Sequence, residues 1–331
     1  MDKEQLKEYG FGLDKYGVVG SLEEGKMAMD AALITDPNMG IPVEALTFFD
    51  ERVIKILTQK RAANEIFDER KFGSRADLIR KFKQVEDTGY TQPYSDYSDN
   101  GKSDVNYNYP ARENYLFETV IKYGDLEQEM TAKAKVNLLA DKQAAAATNI
   151  AIDFNRFYMN GVSGLENYGI LNAPNLPSAV VAATVSGHTE WSYKSGADIY
   201  ADIVAMVNDM SARAGGHIDL NTRFKLVVGP SIYAQLIKQN ALGTETVIAM
   251  VKRSLVNLDV VVAPEYDDST KKIQLIAVEI DGIPTGELGF SEKLSAGRVV
   301  AYLSHHAQKF MAGTYGAIVY RPIFVSTMTG I

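Results

Sequence analysis

The chain has 331 residues, 46% of them hydrophobic and 23% charged. That is room and composition for about two ordinary soluble domains, or one elaborated one, and it argues against disordered, collagen-like or coiled-coil structure. Cysteine is absent, which removes disulfides, thiolate metal sites, iron–sulfur clusters and thiol nucleophiles together. Lys plus Arg is 34 against 42 for Asp plus Glu, a net charge of −8. This excludes a surface that wraps nucleic acid throughout and leaves room only for a local basic face.

The first residues, Met1 to Glu8, are alternately charged and lack the apolar core of a signal peptide. No apolar run approaches the length of a membrane span, so no membrane partner and a reducing, cytosol-like compartment are expected. Residues 1–42 are punctuated by Gly10, Gly12, Gly17, Gly20, Gly25 and Gly40, with one brief helical pattern near Glu24–Ala32. Such a segment reads as an arm. From Val43 to about Arg61, Leu46, Phe49, Val53, Ile54 and Leu57 recur at three and four residues, the pattern of an amphipathic helix.

Residues 84–115 hold Tyr90, Tyr94, Tyr97, Tyr107, Tyr109 and Tyr115 among Asp, Ser, Asn and Gly, with almost no aliphatic side chain. This tract lacks the apolar area to build a core, but tyrosine set among small polar residues is good contact chemistry. It is expected to project as a long β-hairpin or loop, and its tyrosines are candidates for subunit contact. Asp125–Asn160 contains neither Gly nor Pro and reads as a single spine helix of roughly 54 Å, capped by Asp125 with Gln128 completing a partial capping box. A Gly-, Asn- and Pro-rich turn region follows from Gly161. The remainder alternates: a helix at Tyr193–Arg213, a strand at Phe224–Val228, a helix from Pro230 to about Gln239 and another at Thr244–Leu255. Strands are then expected at Val260–Ala263, Ile273–Ile280, Val299–Leu303 and Ala317–Val325. The mixed order predicts an α+β fold.

Motifs for catalysis or cofactors are missing. The four histidines, His188, His217, His305 and His306, fall in no ligand spacing, and adjacent His305 and His306 face opposite ways on a strand. Gly101-Lys102-Ser103 resembles the end of a phosphate-binding loop, but Asp96 stands where its first glycine belongs. Asp96, Ser98, Asn100 and Asp104 sit at calcium-loop positions, yet Tyr107 occupies the place of the bidentate glutamate. No cofactor, metal or catalytic residue is therefore assigned, and no enzyme activity is expected. Lys133, Lys135 and Lys142 are candidates for an inner, basic face.

The order of these parts resembles the major capsid proteins of tailed bacteriophages with the Hong Kong 97-type fold. The local matches are Tyr158-Met159-Asn160-Gly161 through Gly169-Ile170-Leu171-Asn172-Ala173-Pro174, similar to the family's glycine–asparagine turn after its spine helix. Phe224 to Ser231, with Tyr233 and Leu236, resembles its strand–Pro–Ser–helix unit, and Tyr320-Arg321-Pro322 to Ile331 resembles its ending. The resemblance implies an N-terminal arm at 1–42, a joining helix at 43–69 and an extended loop at 70–122. It further implies a peripheral domain with the spine helix at 123–165, an axial domain at 166–305 and a C-terminal strand returning to the body at 306–331. It also implies a self-assembling protein of the virion, assembled in the host cytoplasm. Its partners would be itself, in hexamers and pentamers, together with scaffolding, portal and decoration proteins and packaged DNA. An encapsulin-type nanocompartment shell is the alternative, and an enzyme with an unrecognised carboxylate site is a more distant one.

Overall fold

The computed structural model describes two short strands, β1 (Phe11–Leu13) and β2 (Val19–Ser21), and residues 59–331 apart from 135, 220, 240–242 and 268–270. Residues 1–58 and 59–331 are separate units. In the first, β1 and β2 pair antiparallel. The helices expected at Glu24–Ala32 and over most of Val43–Arg61 lie outside the described residues, as does the rest of the arm.

The second unit contains two sheets, each with its own core. In the four-stranded sheet the order is β3 (Glu69–Lys71), β15 (Gly286–Ala301), β16 (His305–Val319) and β8 (Tyr115–Gly124). Helix α3 (Leu138–Asn160) covers it. Ala146, Ile150, Phe154 and Tyr158 recur every four residues on one side of α3, and all are buried. Phe117 of β8 meets Phe154 and Phe157 edge-on, each at 5.1 Å between ring centres. Asn155, also buried, accepts from Ala63 N of α1 (Ala63–Ile66) at 3.0 Å and donates to Glu265, so one side chain joins three segments.

The expected spine is two helices. Helix α2 (Asp125–Lys133) ends at Ala134, and α3 begins after Asn137, whose Oδ1 accepts from Ala140 N at 3.3 Å. Asparagine competes for backbone donors and favours a cap over a helix interior, so the break falls there. Asp125 is the first helical residue and Gly124 precedes it as the cap. Glu127, rather than Gln128, reaches back to Gly124 N at 3.3 Å.

The five-stranded sheet runs β11 (Leu258–Val262), β10 (Phe224–Val228), β12 (Lys272–Ala277), β17 (Val325–Thr329), β9 (Val180–Val181). β10 is parallel to β11 and antiparallel to β12. Helices α4 (Gly196–Arg213) and α6 (Val247–Ser254) contribute Ile199, Ile203, Met206, Val247 and Val251 to its core. The expected boundary at 305 does not coincide with the change of sheet. The chain leaves the five-stranded sheet after Ala277, pairs β13 (Glu279–Ile280) with β14 (Ile283–Pro284), forms the long β15–β16 ribbon in the other sheet, then returns as β17. The strands expected at Val299–Leu303 and Ala317–Val325 are only pieces of this ribbon and its sequel.

Candidate assembly surface

The turn after α3 is built by the residues singled out above. Ile170 N donates to Tyr158 O (2.9 Å), Leu171 N to Met159 O (3.0 Å) and Asn172 Nδ2 to Asn160 O (2.9 Å). These bonds satisfy carbonyls that a helix end leaves unpaired. Asn172 Oδ1 in turn accepts from Gly169 N at 2.6 Å. A Cβ at Gly169 would fall closer than 3.0 Å to the Met159 carbonyl, so this glycine permits a close approach that no other residue allows. In the second motif, Gly229 caps helix α5 (Pro230–Leu236) with Pro230 in its first turn. Asp267 receives Ser231 N at 2.8 Å and also the Ser231 hydroxyl. The sequence marked the glycine, proline and serine but gave no sign of the aspartate 36 residues on.

From this body a hairpin projects. β5 (Gln84–Tyr90) and β6 (Lys102–Asn108) pair antiparallel from Gln84 opposite Asn108 to Tyr90 opposite Lys102. They form a two-stranded sheet with no further strand on either edge among the described residues. Every residue from 89 to 109 is exposed. Tyr94 and Tyr97 are 91% and 100% exposed, and Tyr90, Tyr107 and Tyr109 between 54% and 56%. Packing inside the hairpin is limited to contacts such as Lys83 Nζ at 3.9 Å from the Tyr107 ring centre. Tyr94 donates to Asp96 Oδ1 at 2.6 Å, which holds its phenol above the ordinary pKa. Two exposed strand edges and a row of tyrosines are a surface that another chain can pair with.

The root is held firmly. β4 (Ile79–Lys81) pairs with β7 (Ala111–Glu113). Asp77 O accepts from Asn114 Nδ2 (3.2 Å) and from Tyr315 OH (2.9 Å), and Asn114 N donates to Leu78 O (2.8 Å). Asn167 Nδ2 bridges Glu113 O and Thr314 O at 3.1 and 2.9 Å. Here Gly316, at φ +72°, lets the 167–168 backbone sit against β16.

The lysine candidates separate. Lys133 is exposed and Lys135 lies outside the described residues. Lys142 is half-buried and donates to Glu127 at 2.7 and 2.8 Å and to Lys122 O at 2.8 Å. Its charge ties α3 to α2, and its hydrogen bond draws the Glu127 carboxyl below the ordinary pKa. Each histidine has a local partner. His188 stacks on Tyr193, His305 on Tyr302 and His306 on Tyr123, and His217 Nδ1 lies 3.1 Å from Asp281. Among the described residues no three His, Asp or Glu side chains converge to hold a metal ion, and no helix is long and apolar enough to cross a membrane.

A sheet under a long helix, a second sheet with its own core and a projecting hairpin make up the Hong Kong 97-type α+β fold of phage capsid subunits. Solved capsids share it. The capsid of Myoviridae phage XM1 matches at TM-score 0.72 and 14% identity, over 88% of this chain and 99% of that one. The mature capsid of bacteriophage PhiM1 matches at TM-score 0.58 and 9% identity, over 91% and 96%. The empty GTA particle capsid matches at 0.57 and 12%, over 88% and 98%. No curated protein matches in sequence. Residues 32–330 match the family described as Pa193 gp26 major capsid protein, and the chain belongs to that family. It is a structural protein of a capsid shell.

Proposed function

We propose that this chain assembles into hexamers and pentamers that close an icosahedral shell around phage double-stranded DNA, with the hairpin as a contact between neighbouring subunits. One observation carries this reading. In a chain of a major capsid protein family, residues 89–109 are exposed throughout, on a hairpin whose outer edges have no strand partner among the described residues. Ordering a tract with so little internal packing is favourable only if a further surface covers it. Repetition of moderate contacts over closed symmetry then gives a stable container. The family match is to a phage capsid protein, which favours a virion over a nanocompartment.

Contacts to packaged DNA fall to exposed lysines such as Lys133, because Lys142 is matched by Glu127. They would be independent of sequence and weakened by salt. Scaffolding, portal and decoration proteins are the further partners this role calls for, and the host cytoplasm is the place of assembly. Electron microscopy and light scattering of the purified full chain test the reading. Closed shells or capsomers are expected, and a monomer under all salt and scaffold conditions would overturn it.

A further inference from the structure

At the hairpin root two arginines stand directly opposite each other, Arg80 on β4 and Arg112 on β7. Like charges in that relation repel, and among the described residues neither has a carboxylate within ion-pair distance. Arg80 lies over the Phe72 ring, 3.2 Å from its centre, with Nη1 buried and unpartnered. Arg112 is only 5% exposed. Its Nη1 donates to Ala111 O at 2.7 Å, while Nε is buried without a partner.

The rings of Phe82 and Tyr168, at 5.8 and 5.0 Å, lie near the Arg112 guanidinium. Aromatic rings attract a cation but accept none of the hydrogen bonds that its in-plane N–H groups direct outward. Burial lowers the Arg112 pKa, with Tyr168 and Glu166 opposing, although a guanidinium remains charged throughout the range in which proteins are folded. A buried cation with an unused donor is expensive unless an anion completes it. Arg112 lines an open cleft of about 410 Å³ with Glu166, Tyr168, Asn108 and Ile323, and the Glu166 carboxylate acts on it from beyond ion-pair distance.

We propose that this cleft receives a carboxylate side chain from a second copy of the chain, bound by the Arg112 guanidinium. The unused donor of Arg112, which Glu166 does not meet, selects an anionic occupant. The hairpin carries Glu86, Asp87, Asp96, Asp99 and Asp104, all exposed and without an ion-pair partner among the described residues. Gln84 and Asn108, at the hairpin root, line the cleft. At about 3.3 Å per residue, Asp96 and Asp99 at the tip lie some tens of ångströms from the root of their own hairpin. A tip carboxylate reaching the cleft therefore comes from another copy. A carboxylate is the fitting group because its two oxygens match the planar fork of a guanidinium.

The inference rests on the shell-subunit reading and is tested on assembled full-length protein. An electron cryo-microscopy map at side-chain resolution should show a carboxylate of a neighbouring copy within hydrogen-bond distance of the Arg112 guanidinium. The full-length R112M variant removes the buried charge at similar volume, so its unassembled subunit should melt at or above the wild-type temperature. Its assembly should need roughly tenfold more subunit, or greater. R112K keeps the charge without the fork and should show the same assembly defect, which covers the case in which R112M fails to fold. Shells whose cleft holds only water, a free small anion or a side chain of the same copy would overturn the proposal, as would variants that assemble like wild type. A wild-type chain that forms no shell would instead remove the reading on which the proposal stands.

Discussion

The five-stranded sheet and the hairpin are both antiparallel for much of their length, yet they are stabilised by opposite means. In the sheet, β10 and β12 bury nearly every side chain. The polar groups taken inside are paired: Asp202 Oδ2 receives the Trp191 indole N–H at 2.8 Å and Lys194 Nζ at 2.5 Å, and Asp202 Oδ1 receives Ala183 N at 3.2 Å. No residue of the hairpin from 89 to 109 is buried, and among the described residues its carboxylates have no cation. One region is complete within a single chain, and the other leaves its polar edges, tyrosines and acids exposed, which the proposed function assigns to a partner. On that proposal, folding and assembly of the shell subunit fall to different residues.

If that division is right, substitutions in the body should act on folding, and the largest effect belongs to the buried ion pair. Asp202→Ala leaves Lys194, itself 3% exposed, as an uncompensated buried charge and should destabilise the subunit by about 3–5 kcal/mol. The chain has one tryptophan, and Trp191 lies within this network, so its fluorescence in a urea titration reads the loss directly. Gly316→Ala forces a side chain into a left-handed backbone conformation against the Tyr168 carbonyl and should cost about 1–3 kcal/mol. Equal stability of this variant and wild type would show that the 167–168 turn can move off β16. Asn137→Ala removes the cap of α3 and should cost about 1 kcal/mol by the same titration.

The smallest effect is a pH dependence. Because Lys142 holds the Glu127 pKa below its ordinary value, the tie between α2 and α3 contributes stability above the ordinary glutamate pKa. That contribution fades as pH falls through the lower folded value. Melting curves of wild type and Lys142→Met should converge at acid pH and separate as pH rises.

Much of this division was legible in the sequence because the physics involved is local. β10 lies at the expected Phe224–Val228, since a short, mostly apolar run ending in two valines and closed by Gly229 and Pro230 permits little else. The hairpin was legible through its lack of aliphatic residues, and the turn at Gly169–Asn172 through its glycine and asparagine. What escaped depends on partners far away along the chain. The β15–β16 ribbon was seen only in part, because register shifts at Gly289, Phe290, Glu292 and Ala296 break the alternation that marks a strand. The interruption of the spine at Asn137 was masked by good helix formers on both sides. Asp267 as the partner of Ser231 and the Arg112 cleft left no sequence signal, since each forms only when separate segments meet. Among the expected contact residues, the five tyrosines of the hairpin stand exposed together, whereas Lys142 is taken up by Glu127.

The central claim is that the hairpin serves assembly and not folding. Its most direct test is a full-length chain in which residues 86–106 are replaced by a two-residue turn joining the Val85–Tyr107 pair, followed by urea titration and electron microscopy beside wild type. The account predicts subunit stability within about 0.5 kcal/mol of wild type and no closed shells. A deletion that unfolds the subunit, or one that still assembles as wild type does, would contradict it.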